Sequence, residues 1–108
     1  MSYPVRITSA AWRDLEELCT WIAEHDSPAK AERVLDRLSE TSAKIGEMPR
    51  RCSRPTELPT GTEGEYRQVL FKPYRIIYEF SGIEVVILLI ADGRRNLQSL
   101  LLRRLLGA

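Results

Sequence analysis

Histidine, cysteine and long apolar runs are scarce in this chain, and each scarcity removes a class of chemistry. The one histidine, His25, lies in a His25-Asp26-Ser27-Pro28 break between two helical patterns, where a capping or exposed role is expected. A zinc site or a histidine-based catalytic pair needs more than that. The two cysteines, Cys19 and Cys52, make a poor disulfide framework and are expected as free thiols, Cys19 semi-buried on a helix. No run approaches the ~20 apolar residues of a membrane helix. The N-terminus lacks the basic-then-apolar pattern of a secretory signal, so a cytoplasmic location is expected. A glycine-rich phosphate loop, paired catalytic carboxylates and a nucleophile elbow are missing too. No metal and no cofactor is expected.

What is present is an ordinary folded composition, 44% hydrophobic and 29% charged over 108 residues, which predicts one domain spanning 1–108. Net charge is only +1, but it is unevenly placed. Residues 1–65 hold nine Lys/Arg against twelve Asp/Glu, while residues 66–108 hold seven against three. A basic rear half suits an acidic partner or a nucleic acid. The pI of about 7.8 falls short of the ~9 of a dedicated nucleic-acid binder.

Strand-like sequence is concentrated in residues 66–95. Three apolar runs, Tyr66–Phe71, Tyr74–Phe80 and Ile83–Ala91, are separated by Lys72-Pro73 and Ser81-Gly82, which reads as an antiparallel meander. The third run is the most apolar and is predicted as an interior strand covered on both faces. Ahead of it, Tyr3–Thr8 alternates as a short strand with Pro4 at an edge or strand start. Thr8 or Ser9 then caps a helix running to about Glu24, with Ala11, Leu15, Leu18 and Ile22 as its core stripe. Trp12 and Trp21 flank that stripe and are expected at the core edge. Ser27 caps a second helix to about Gly46, with Pro28 as its first residue. Its apolar face is Ala31, Val34 or Leu35, Leu38 and Ile45. The short link makes the two an antiparallel hairpin over one side of the sheet. Residues 49–65 form a loop whose Arg50 and Arg51 are expected solvated or paired with local carboxylates such as Glu57. Asn96 caps a last helix ended by Gly107. It holds more leucines than one face can bury, so some are expected on the surface. The predicted class is α+β.

The candidate functional groups cluster late in the chain: Arg67, Lys72, Tyr74, Arg75, Tyr78, Glu79, Arg94 and Arg95. Alternation puts Tyr74, Ile76, Tyr78 and Phe80 on one face, and Arg75, Ile77 and Glu79 on the other. Arg75 is expected either at an anion or paired internally with Glu79 or Glu84, and near Arg95 at one end of the sheet. Metal-free RNA cleavage needs a base, an acid and cations at the scissile phosphate. Cations are present; a suitable acid is not evident.

Several short motifs in order carry a resemblance across almost the whole chain. They are Ile7-Thr8-Ser9-Ala10-Ala11-Trp12-Arg13-Asp14-Leu15, Trp21-Ile22-Ala23, Ser27-Pro28, Met48-Pro49 with Arg54 and Glu57-Leu58, Pro73-Tyr74-Arg75-Ile76-Ile77-Tyr78, and Asp92-Gly93-Arg94-Arg95. With these the sequence resembles the ParE branch of the RelE/ParE toxins of bacterial type II toxin–antitoxin modules. The resemblance implies an α-hairpin on a small sheet and a ParD-like antitoxin partner in a hetero-oligomer, with DNA reached only through the antitoxin. RelE-like members are ribosome-dependent mRNA endoribonucleases; ParE-like members are described as poisons of DNA gyrase. By position, Arg67, Arg75 and Arg95 match the cationic places of the ribonucleases. Their Tyr or His place falls at about Leu101, within a leucine run, which favours the gyrase branch and a non-enzymatic toxin. Target contact is then expected at Arg67, Tyr74, Arg75, Arg94 and Arg95, and antitoxin contact at Tyr78, Leu101, Arg104 and Leu105. The alternatives are a RelE-like ribonuclease and a divergent relative retaining only antitoxin binding.

Overall fold

A computed structural model describes residues 2–106. The order is β1 (Val5–Ile7), α1 (Ser9–His25), α2 (Pro28–Glu47), β2 (Tyr66–Phe71), β3 (Tyr74–Phe80), β4 (Val85–Asp92) and α3 (Leu97–Leu105). The strands form one sheet in the order β1-β4-β3-β2. β2, β3 and β4 are the antiparallel meander, and β1 joins β4 in parallel. The expected α+β class and the interior place of β4 both hold. The third strand starts later than predicted: Ile83 is 77% exposed and belongs to the turn before it. The stop expected at Gly107 lies outside the described residues.

Side-chain caps start all three helices. Thr8 Oγ1 accepts from the Ala11 amide at 3.1 Å, Ser27 Oγ from Lys30 at 3.1 Å, and Asn96 Oδ1 from Ser99 at 3.2 Å. Each bond satisfies an amide that the helix itself leaves unpaired, typically worth about 1 kcal/mol. The hairpin α1–α2 lays Ala11, Leu15, Ile22, Ala31, Val34, Leu38 and Ile45 on one face of the sheet, against Ile76, Tyr78, Phe80, Val85, Ile87 and Ile90. Leu35 points outward instead, at 39% exposed. At the end of α2, Gly46 lets the chain before β1 cross closely. The Tyr3 amide donates to Gly46 O at 2.8 Å, and a Cβ on Gly46 would meet Tyr3 O at 2.8 Å.

The other face of the sheet is covered by α3. Leu97 and Leu101 bury against Ile77, Leu89 and Ala91, with Leu100, Leu105 and Leu58 packed beside them. Positions 97, 101 and 105 share one helical face. Leu102 and Leu106 fall off it and are 42% and 77% exposed.

A bulge lets β4 serve both cores. Tyr78 pairs with Ile87 but Ile77 pairs with Leu89, so Leu88 has no partner on β3. Ile87 and Ile90 therefore both face the hairpin, while Leu89 and Ala91 face α3. Strict alternation would not allow that. Among the described residues, no helix is long and apolar enough to cross a membrane.

Candidate functional site

The strand arginines come first, because the sequence put chemistry there. Arg75 lies on the α3 side of β3 with its side chain only 12% exposed. Its guanidinium forks onto the Glu57 carboxylate, Nη1 to Oε2 at 2.6 Å and Nη2 to Oε1 at 2.8 Å. It also donates to Gln68 Oε1. The hydrogen bonds from Arg75 hold the Glu57 carboxyl below its usual range. The expected internal partner, Glu79 or Glu84, is thus corrected to Glu57. Twist and loop packing decide this: the 49–65 loop folds back to lay Glu57 over the strand, while Glu84 pairs with Arg6 at 3.1 Å. The methylene stem of Arg75 crosses Gly93, where a Cβ would stand 3.2 Å from Arg75 Cδ and 3.2 Å from Pro73 O.

Arg67 is likewise engaged. It donates to Cys52 O and to Glu65 at 3.3 Å, tying β2 to the loop. Glu65 also takes Arg50 at 2.9 Å, so Arg50 pairs with Glu65 and not with Glu57. Arg50 additionally lies 4.9 Å above the Phe80 ring. Arg54 ties the loop to itself through Gly64 O and Thr62 O.

Of the residues expected at the antitoxin, two are buried and a third, Arg104, is partly buried and engaged within the chain. Tyr78 is 0% exposed, and its hydroxyl donates to Pro49 O at 2.6 Å. Burial raises its phenol pKa well above the usual value, so it stays protonated. Leu101 is 1% exposed. Arg104 donates to both Asp14 oxygens, at 2.8 and 3.0 Å, and to Leu88 O at 2.7 Å. Leu105 is partly buried, so the exposed apolar surface belongs to Leu102 on α3 and Leu106 just after it. The expectation treated the leucines as an undivided run, whereas helix geometry sorts them by face.

Arg104 and Asp14 cap an open strand edge. β1 covers β4 only as far as Ile87, where Thr8 donates to Ile87 O at 3.1 Å. Beyond that point Leu88 O accepts from Arg104, and the Ile90 amide donates to Asp14 Oδ2 at 3.1 Å. Two side chains from α1 and α3 stand where the next backbone hydrogen bonds of a longer β1 would be.

The remaining candidates meet at the other end of the hairpin. Arg94 is 80% exposed and forks onto Asp92, at 2.9 and 2.6 Å, which lowers the Asp92 pKa. Arg95 is exposed and has no ion pair among the described residues. Tyr74 is half-buried, its pKa raised by burial and by the Asp92 charge. Arg94, Arg95 and Tyr74 share a groove of about 360 Å³ under α1 that also takes in Asp14, Glu17 and Trp21. Arg95 lines this groove, while the Arg75 stem passes Gly93, two residues before it in the chain.

A second trough of about 410 Å³ adjoins the first at Trp21, Tyr74 and Arg94. Its rim holds Lys30, Arg33, Arg37, Lys72 and Arg94, against one carboxylate, Asp26. Its floor is Ile22, Val34, Pro73 and Tyr74. Sequence reasoning missed this basic rim, although Lys30, Arg33 and Arg37 recur at one-face helical spacing. It also placed Trp12 and Trp21 in the core edge. They are 51% and 57% exposed, because each sits one residue, about 100° of helix, from the stripe. Trp21 stacks on His25 at 4.5 Å, and His25 is exposed as expected. Cys19 and Cys52 are free and half-buried, and burial raises the Cys19 pKa. No cluster of three or more potential metal ligands occurs among the described residues.

Comparison with known proteins accounts for this architecture. The family model for the ParE toxin of the type II toxin–antitoxin system parDE matches residues 5–97. Toxin ParE3 of Caulobacter vibrioides is 30% identical over 84 residues, which span 78% of this chain and 80% of that protein. Among solved structures, the chromosomal ParDE system of P. aeruginosa superposes with a TM-score of 0.70 at 20% identity, over 84% of this chain and 96% of that one. The RelBE2 toxin–antitoxin complex of Mycobacterium tuberculosis gives 0.63 at 25% identity, over 85% and 99%. Free E. coli toxin RelE, in a doubly arginine-substituted form, gives 0.57 at 14%, over 92% of each chain. The family match extends from β1 to the first residue of α3 and includes every strand of the sheet. The chain belongs to the ParE toxin family of type II toxin–antitoxin systems.

Proposed function

We propose that this toxin acts by binding DNA gyrase rather than by cutting RNA, and that a ParD-like antitoxin neutralises it. The observation that carries the reading is the state of Arg75. A catalytic cation must be available to the scissile phosphate, and Arg75 is locked onto Glu57 with its side chain nearly buried. Arg67 is held by Cys52 O and Glu65. The position matching the ribonucleases' Tyr or His is the buried Leu101, which has no proton to give. General acid help is typically worth 10²–10⁴-fold, and a surface that only binds does without it. The toxin–antitoxin systems that the fold resembles support an antitoxin partner for this chain as well.

The test pairs two assays on the purified chain freed of antitoxin: gyrase supercoiling, and primer extension on translated mRNA. Loss of supercoiling with intact mRNA is expected. Codon-positioned cleavage with unaffected supercoiling overturns the proposal in favour of the ribonuclease. Silence in both assays, with tight antitoxin binding, favours a divergent relative.

A further inference from the structure

We propose that Glu57 is an internal stand-in for a phosphate-class oxyanion: Arg75, Gln68 and Thr56 form an anion cradle that the chain keeps filled with its own carboxylate, whichever target the toxin meets. The contacts are those of a captured ligand. Arg75 grips both carboxylate oxygens, at 2.6 and 2.8 Å, with the planar fork that serves carboxylates and phosphates alike. The Thr56 side chain and the Glu57 amide add hydrogen bonds to the same group. Gln68 Oε1 accepts from Arg75 Nη2 and steadies the guanidinium plane. The carboxylate does not use all that is offered. Arg75 Nε is buried and has no hydrogen-bond partner among the described residues. A carboxylate brings two acceptor oxygens, and a tetrahedral phosphate has more to give.

The cradle is held by residues other than the one that fills it. On one side of Glu57, Pro55 is buried; on the other, Leu58 packs against the Leu97 and Leu101 cluster. Arg54 ties the same loop to Gly64 O and Thr62 O. On β3 the Arg75 stem lies against Gly93. Truncating Glu57 therefore leaves a guanidinium whose side chain is only 12% exposed, facing a carboxylate-sized gap. A buried charge without a partner is costly. Neighbouring carboxylates are committed elsewhere: Glu65 to Arg50 and Arg67, Asp92 to Arg94, Glu84 to Arg6. An anion from solution then takes the place, entering where the Glu57 side chain is now 23% exposed. In the parent chain the same anion competes with a carboxylate tethered beside the cradle at high effective concentration. Glu57 thus keeps the site closed to phosphate.

The probe is inorganic phosphate, added to the full-length chain near neutral pH at constant ionic strength. Binding is read by phosphorus NMR line broadening and by the shift in melting temperature. Glu57→Ala should bind phosphate about 10-fold more tightly than the parent, and should regain much of its lost melting temperature as phosphate replaces chloride. Glu57→Gln keeps the bulk of the side chain, so it should fold even if Glu57→Ala does not, and it should gain phosphate affinity by a smaller factor. Adding Arg75→Met to either variant should abolish the gain. A single-stranded oligonucleotide that displaces phosphate from Glu57→Ala would extend the cradle to nucleic-acid phosphates; one that leaves it bound would restrict the cradle to free phosphate. Equal phosphate affinity in the parent and both variants overturns the proposal, as does a gain that survives Arg75→Met. Rescue of Glu57→Ala by acetate and not by phosphate overturns it too, in favour of an ion pair that only holds the loop. Supercoiling plays no part in the readout, so the gyrase reading stands or falls separately.

Discussion

Arg104→Ala should cost this protein more than any other single surface-accessible change on α3. Arg104 makes three hydrogen bonds, two to the Asp14 carboxylate and one to Leu88 O. Its side chain is 20% exposed and that of Asp14 is 18% exposed, so solvent screens the pair only in part. Hydrogen bonds involving a charged group contribute about 1.5–3 kcal/mol, and a buried acceptor left unpaired costs about 1–3 kcal/mol. The three bonds share one guanidinium and do not add, and partial exposure discounts them further. A net loss of about 2 kcal/mol follows. For a domain near 100 residues that is a drop in Tm of roughly 8–16 °C.

Chemical denaturation of the parent, Arg104→Ala, Asp14→Ala and the double variant closes a cycle. A coupling near 1–2 kcal/mol is expected, because each partner holds the other at the open edge of β4. Asp14→Ala alone should cost more than its share of the pair, since it also frees the Ile90 amide. A loss below about 0.5 kcal/mol for Arg104→Ala, or a coupling near zero, would refute the idea that these side chains complete the sheet edge.

Three further outcomes test the remaining interior. Tyr78→Phe removes the donor to Pro49 O and should cost about 1–2 kcal/mol in urea unfolding, with target inhibition unchanged once the variant is folded. Gly93→Ala forces the Arg75 stem or Pro73 O to give way and should cost about 1–3 kcal/mol as overpacking does; a neutral result would show the turn to be slack. Glu57 titrates below its ordinary value because Arg75 holds its carboxylate. Its contribution is therefore fully present above the unfolded Glu pKa and is lost as pH falls through the folded one. Stability of the parent relative to Glu57→Gln should shrink through that acid window, and a difference that is flat with pH would count against the pair.

The elements were legible because each is built from a local signal. Thr8, Ser27 and Asn96 announce the helix starts chemically, and turn residues separate strands whose interiors are apolar. Pairing was less legible, because it depends on where a loop returns. Nothing in the spacing of Glu57 and Arg75, 18 residues apart, says that a proline-rich loop will fold one onto the other. The bulge at Leu88 was invisible for a related reason. The run 85–91 is apolar throughout, so it carries no alternation whose interruption would mark the extra residue. In and just after α3 the leucines hid their own sorting: the six between 97 and 106 obey no narrow stripe, and only packing separates the buried Leu101 from the exposed Leu102. The basic rim on α2 was readable at positions 30, 33 and 37, but its meaning required Lys72 and Arg94, which the fold brings in from two distant turns.

These pairings change what the charges can do. The rear half of the sequence is basic, yet the cations at the most strand-like positions are spent inside the molecule. For Arg75 to meet a phosphate, Glu57 must leave it. Breaking a largely buried, bidentate pair costs about 3 kcal/mol or more, which would leave roughly one molecule in 100 competent before any substrate binds. A ribosome could supply that energy through its own contacts, so the proposed reading leans equally on Leu101, the buried residue that the resemblance sets at the ribonucleases' Tyr or His place. Exposed cations with no ion pair among the described residues include Arg33, Lys72 and Arg95, and also Arg13, Lys44, Arg51 and Arg103. They can reach a partner's carboxylates without first giving up an internal ion pair. The sequence places its positive excess in the rear half, and the fold draws Arg67, Arg75, Arg94 and Arg104 of that half into internal ion pairs.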